Sequence, residues 1–319
     1  SALVAARRDR LPEDFLSGTI YVSDQTHHAV QKAATLAGFP EDRVREIPVD
    51  ASFRIRTDAL ESAIAADRGA GRTPFLLVGN AGTTNTGAVD DLPALAAIAA
   101  RERLWFHVDA AYGGFFLLTD EGRRVLRGIE RADSIVLDPH KGLFLPYGTG
   151  ALLVRDGETL RRAHALSAEY MPSMQKDDDL TDFNLLSPEL SRDFRGLRIW
   201  LPVRMHGIAP FRRNLVEKLA LARWAADRLR EIPGIEIVAE PQLSILAFRR
   251  VRPGADGPAL DAENRRLIER INARKRVYLT GTVVGGRFAI RICVLSFRTH
   301  RDRMEMAVED IRAAVSEEA

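Results

Sequence analysis

The chain has 319 residues, 46 of them basic and 44 acidic, for a formal charge of +2. That balance, with no dense Lys/Arg block, gives no case for a nucleic-acid or anionic-membrane partner. An apolar fraction of 46% against 28% charged residues describes a soluble globular protein of one large or two ordinary domains. One cysteine, Cys293, excludes an internal disulfide and a cysteine-based metal cage. With no signal-peptide pattern and no transmembrane-length apolar run, it points to a reducing, cytoplasmic setting.

Taken in order, Ser1 to Arg8 reads as the middle of a helix, with no initiator Met before it. A short strand, Thr19 to Val22, is followed by Ser23-Asp24-Gln25-Thr26-His27-His28, where Thr26 or Asp24 can cap a helix reaching Gly38. Read from the residues alone, His27 at that helix start serves equally well as a capping or packing residue or as a functional one. A strand from Arg43 to Val49 and a helix from Thr57 to Asp67, with Thr57 as its cap, come next. The strand Pro74 to Gly79 ends in Asn80-Ala81-Gly82-Thr83-Thr84-Asn85-Thr86-Gly87, either an ordinary turn or a hydroxyl-rich loop able to donate hydrogen bonds to an oxyanion.

After a helix from Asp91 to Arg101, Leu104 to Val108 reads as a buried strand that delivers Asp109 near its end. A carboxylate in that position needs a partner, and a protonated pyridine nitrogen is one candidate. Ala111 falls on the same face as Asp109 if the strand persists, and so does His107, which is either a partner of Asp109 or a satisfied core histidine. The β-branched run Ser134 to Leu137 then ends at Asp138-Pro139-His140-Lys141, before a Gly-rich turn and a second apolar run, Ala151 to Val154. This arrangement places Lys141 at a sheet edge among apolar neighbours, where its amine is more readily deprotonated and able to form an imine with a carbonyl cofactor. Pyridoxal phosphate requires a lysine of this kind together with an acid on its ring nitrogen. Asp109 and Lys141 end successive strands, so a parallel sheet brings both to one edge.

The stretches HVDAAYGG and DPHKG, in that order and at that separation, resemble the pyridoxal-phosphate-dependent decarboxylases of the aromatic amino acid, histidine and glutamate group. The resemblance extends over essentially the whole chain. It implies an α/β architecture of the PLP-dependent transferase type I kind, with a mainly parallel large domain over residues 1–209 and a small C-terminal α/β domain over 210–319. In that group, S-D-Q-x-H supplies the imidazole stacked on the cofactor, here His27. G-T-T lies beside the cofactor, with Thr84 the expected contact, and Ala111 lies against the other ring face. By the same resemblance Asp109 holds the ring nitrogen and Lys141 forms the Schiff base. His140 is suited to bind phosphate or carboxylate. Tyr170, in the long aperiodic stretch that follows Ala165, matches a tyrosine on a closing loop that protonates the carbon left by CO₂. The segment Ser191 to Trp200 resembles R-x-F-R-x-L-K-x-W and begins a helix. Serine at 191 departs from the glycine of several aromatic decarboxylases, which weakens any assignment of a particular substrate.

The resemblance further implies a homodimer with the active site between subunits. It also implies a Gly/Ser-rich phosphate loop before the first helix, carried by a preceding segment or by another polypeptide. A long amphipathic helix, Pro210 to Arg230, leads into the small unit. There the strands Ile235 to Val238 and Leu243 to Val251 precede a surface loop, Pro253 to Pro258, and a helix from Asn264 to Arg276. The strands Val277 to Thr282 and Arg287 to Val294 precede a last helix, Arg301 to Val315. Arg291 reads as an ion-pair residue and Cys293 as buried and inert. The histidines show no HxxxH or HExxH pattern and the run Asp177 to Asp179 reads as solvated, so no metal is expected. The expected activity is decarboxylation of an L-amino acid, most readily an aromatic one. The rivals are an aldehyde synthase on the same scaffold, which often carries Phe at the loop tyrosine, and a non-catalytic interaction module.

Overall fold

A computed structural model describes residues 1–165 and 181–317. Its first half builds one six-stranded sheet from β1 (Gly18–Ser23), β2 (Val44–Ile47), β3 (Thr73–Asn80), β4 (Trp105–Asp109), β5 (Ser134–Leu137) and β6 (Ala151–Val154). The spatial order is β2-β1-β3-β4-β5-β6. All neighbours run parallel except β6, which returns antiparallel to β5. The central strands read as near-continuous apolar runs because helices cover both faces.

Alternate residues serve opposite faces. Tyr21, Leu77, Phe106 and Val108 join the core under α3 (Thr57–Gly69) and α4 (Leu92–Glu102). Ile20, Val22, Leu76, Val78 and Trp105 join the core under α1 (Ala2–Arg10) and α2 (Ala29–Leu36). By the same alternation His107 and Asp109 face the α1/α2 side.

Between β4 and β5 lies the short α5 (Asp120–Val125), and a single turn, α6 (Pro139–Gly142), follows β5. After β6 come α7 (Gly157–His164) and, beyond residue 180, α8 (Leu197–His206) and α9 (Ala209–Arg230). The second sheet is antiparallel, ordered β7 (Ile235–Ala239), β8 (Ile245–Arg250), β10 (Arg287–Cys293) and β9 (Thr280–Val284). It packs under α10 (Gly257–Ala273) and α9, with α11 (Arg301–Ser316) against both helices. Gly285 and Gly286, both at positive φ, make the two-residue turn that closes the β9–β10 hairpin. The helix α9 spans the two cores: Leu215 and Leu219 lie in that of the large sheet, Leu221 to Leu229 in that of the small one.

Three local expectations change. Thr57 is the first residue of α3, not its cap, and makes no capping bond. Neither Thr26 nor Asp24 caps α2, which starts after His28. The helix α10 begins seven residues ahead of the expected Asn264, because the Asp256 carboxylate accepts from Ala259 N at 2.8 Å and Pro258 suits the first turn.

Candidate active site

The chain leaves β1 for the outer strand β2 and then returns to β3 on the far side of β1. Parallel sheets bind ligands beyond their carboxyl ends at such a reversal. Four of the five parallel strands deliver a polar residue at that edge: His27 after β1, Asn80 closing β3, Asp109 closing β4, and Asp138 with Lys141 after β5. Pairing of β3 with β4 sets Asn80 opposite Asp109, and pairing of β4 with β5 sets Asp109 opposite Val136.

The strand does not persist to Ala111. It ends at Asp109, and a turn follows in which Ala111 N donates to Asp109 Oδ1 at 3.1 Å while Ala111 O accepts from Asp138 N at 3.2 Å. Ala111 therefore ties the Asp109 and Lys141 turns together through its backbone. Gly113 lets the turn close, since a Cβ there would stand 2.0 Å from Ala81 O.

Lys141 differs from its expected setting. Its ammonium is partly exposed and ion-paired with Asp138 Oδ2 at 2.9 Å, in place of apolar neighbours. His140 turns toward the protein's own groups: Nδ1 donates to Thr149 O at 2.7 Å and Nε2 lies 3.7 Å from Asp138 Oδ2. His27 is partly buried, and its Nδ1 accepts from Ala29 N at 3.2 Å. Burial and the adjacent His28 lower its pKa, while Asp109, Lys141 and Asp138 all lie near enough to act on it. Thus His27, Asp109, Asp138 and Lys141 share one electrostatic neighbourhood.

His107 pairs through Nδ1 with Ser134 Oγ at 2.7 Å, and Ser134 Oγ accepts from Trp105 Nε1 at 2.8 Å. An indole only donates, so the serine hydroxyl proton stays available for Nδ1. Burial pushes the His107 pKa down to about 4, against the pull of Asp109. Thr83 and Thr86 bond to each other at 2.9 Å, whereas Thr84 is exposed on the loop. Tyr170 lies outside the described residues. Cys293 is exposed rather than buried, although surrounding atoms crowd the thiol enough to raise its pKa, with Arg291 and Lys141 opposing.

A cavity of about 710 Å³ opens on the α1/α2 face, bordered by Ser1, His107, Asp109, Thr149 and Arg192 among others. Lys141 and His27 are not in its lining. The Thr149 hydroxyl is buried with no hydrogen-bond partner among the described residues. The Asp109 carboxylate accepts only the Ala111 bond among them, which leaves Oδ2 open. A free carboxylate oxygen, a lysine on the next strand end and an orphaned hydroxyl along the carboxyl edge of the sheet suit a charged, planar, carbonyl-bearing cofactor. Sequence reasoning did not single out Asp138 or Asn80 as site residues. Both stand at strand ends, and Asp138 also opens the DPHKG stretch, which is where a signal lay.

A family model, the pyridoxal-dependent decarboxylase conserved domain, matches residues 13–251. The chain belongs to that family. It is 35% identical over 319 residues to an aromatic-L-amino-acid decarboxylase of Bacillus atrophaeus, covering 99% of this chain and 66% of that protein. It is 30% identical over 300 residues to a phenylacetaldehyde synthase of Arabidopsis thaliana, covering 93% of this chain and 61% of that one. Among solved structures, Oryza sativa TDC with PLP and tryptamine superposes with a TM-score of 0.93 at 33% identity, covering 99% of this chain and 67% of that one. The chain thus spans about two thirds of the relatives it matches, and its α/β fold is that of the decarboxylases.

Proposed function

We propose that this chain carries the cofactor-binding centre of a pyridoxal-phosphate-dependent L-amino acid decarboxylase acting on aromatic substrates. The observation that carries the proposal is the meeting of Asp109 and Lys141 at the ends of adjacent parallel strands, with His27 responding to the charges of both. When bound, pyridoxal phosphate supplies the electron sink for breaking the bond to the substrate carboxylate. Asp109 Oδ2 would hold a proton on the ring nitrogen, and His27 and Ala111 would flank the ring. Thr84, exposed beside it, would offer a donor at the periphery. Asp138 Oδ2, at 2.9 Å, holds Lys141 Nζ at the end of β5; because the pair favours the ammonium, Lys141 must leave it before its amine acts as a nucleophile. His140, held by Thr149 O, sets its Nε2 3.7 Å from the Asp138 carboxylate. Tyr170 is proposed as the acid that returns a proton to the substrate carbon.

Two further features belong to this reading. Residues 1–209 form a cofactor domain and 210–319 a small domain. The protein acts as a homodimer, for which α8 supplies an apolar face: it has no buried residue, and Leu197, Trp200, Leu201 and Met205 are all exposed.

Borohydride reduction of the protein loaded with pyridoxal phosphate, followed by peptide mass spectrometry, should give a phosphopyridoxyl adduct on Lys141. Absence of that adduct would refute the reading. Incubation with aromatic amino acids should then release CO₂ and amine. Release of aldehyde, peroxide and ammonia instead would favour the synthase reading, to which the similarity to a phenylacetaldehyde synthase lends weight.

A further inference from the structure

The most tightly organised polar cluster near the site is one that no step above uses. Asp90, buried at the end of the Thr83–Val89 loop, grips Asn80 twice: Oδ2 accepts from Asn80 N at 2.7 Å and from Asn80 Nδ2 at 3.0 Å. Its other oxygen accepts from Ile55 N at 2.8 Å. Asn80 Nδ2 also reaches Ser23 Oγ and Thr26 Oγ1, each at 3.1 Å. Thr26 Oγ1 accepts in addition from Ser23 N at 3.0 Å and lies 3.2 Å from Ser23 Oγ. Ser23, Asn80 and Asp90 are each less than a tenth exposed. This explains why Thr26 is no helix cap, for its hydroxyl is committed to the end of the neighbouring strand.

The geography matters more than the number of bonds. Strand β3 lies between β1, which leads to His27, and β4, which ends at Asp109. The Asn80 backbone is in register with Asp109, and Ala81 N donates to Asp109 O at 2.8 Å. The Asn80 side chain reaches the other way, to the residue directly before His27. A single amide, oriented by a buried carboxylate, thereby sets the spacing between the imidazole and the carboxylate that would embrace the cofactor ring.

We propose that Thr26, Asn80 and Asp90 are positioning residues whose joint task is to hold His27 at a set distance from Asp109 and Lys141. The proposal rests on the decarboxylase reading for its consequence in turnover, while the clamp itself is a property of the protein alone. Hydrogen bonds within such networks exert their effect through geometry, so loss of the acceptor at Thr26 should loosen His27 without removing any group that touches the cofactor.

The test compares Thr26→Val, which keeps the shape and removes the hydroxyl, with Thr26→Ser, which restores it. In the cofactor-free protein, labelled-histidine NMR reads the His27 titration. The wild-type imidazole should titrate below the ordinary value of 6.5, held down by burial and by His28. Thr26→Val should move it back toward that value, and Thr26→Ser should leave it as in the wild type. In the loaded protein, kcat for Thr26→Val should fall about tenfold with KM within about twofold, and Thr26→Ser should recover it. An unchanged His27 titration and kcat in Thr26→Val would overturn the proposal. So would equal damage in both variants accompanied by a lower Tm, which is the mark of a merely structural role. If Lys141 takes no adduct in the wild type, the decarboxylase reading fails, and with it the consequence claimed for turnover. The NMR comparison then decides the clamp independently.

Discussion

Tyr112 joins the two sheets, and its replacement by Phe isolates that link. The ring is buried against Phe116, with centroids 5.8 Å apart, and the substitution keeps that packing. What it removes is the phenol oxygen, which accepts from Ser244 N at 2.8 Å and pairs with Ser244 Oγ at 2.8 Å. Ser244 is fully buried just ahead of β8, so its N–H is left with neither protein acceptor nor water. An orphaned buried donor costs about 1–3 kcal/mol, and the serine hydroxyl adds a smaller loss because it can rotate. The expected destabilisation of Tyr112→Phe is therefore about 2–3 kcal/mol. Urea unfolding followed by far-UV circular dichroism measures it, with Tyr278→Phe as control because Tyr278 is 81% exposed. The control should stay within about 0.5 kcal/mol. Adding Ser244→Ala should cost less in the Phe background than in the wild type, since the hydroxyl has already lost its partner. A loss below about 0.5 kcal/mol for Tyr112→Phe would refute the claim that this contact couples the two sheets.

Three other outcomes follow from the same geometry. His107 titrates near 4 when folded, against 6.5 when unfolded, so the unfolded chain binds the extra proton between those values. Its contribution is complete above about pH 6.5 and is lost as the pH falls toward 4. With allowance for partial exposure it is of the order of 2 kcal/mol, and His107→Gln should flatten the stability difference between pH 7 and pH 5. Gly113→Ala would place a Cβ 2.0 Å from Ala81 O and 2.8 Å from Leu243 Cδ1. Because the first contact is backbone, the change should cost at least about 2 kcal/mol in denaturant unfolding and weaken cofactor uptake through the displaced Ala111 turn. On α8, Trp200→Asp should convert a dimer into monomers in sedimentation velocity with little change in secondary structure. A variant that remains dimeric would remove that face from the interface.

The strand-and-helix alternation, a second small unit of strands and helices and the placing of Asp109 and Lys141 near one edge were legible in the chain because each depends on local periodicity; that the second sheet is antiparallel was not. Runs such as Leu76 to Val78 declare a strand covered on both faces, and a charged residue closing such a run declares the sheet's edge. Boundaries were less legible. Asp256 and Asp91, which the chain did not single out, accept at their helix starts, whereas the expected caps Thr57 and Thr26 do not, and only the course of the backbone distinguishes them. The pairing of Lys141 with Asp138 and the inward turn of His140 toward Thr149 O depend on the one-turn helix and the loop after it. The Asn80 clamp joins residues 10, 54 and 57 positions apart, and the Tyr112–Ser244 bond joins residues 132 apart. Local propensity carries no record of such partners. Their hydrogen bonds exist because β3 lies between β1 and β4 and because α9 brings the second sheet against the first. The residue types at the strand ends were thus determined by sequence. Which of them share a proton, a bond or a common distance was decided only when the parallel sheet brought those ends together.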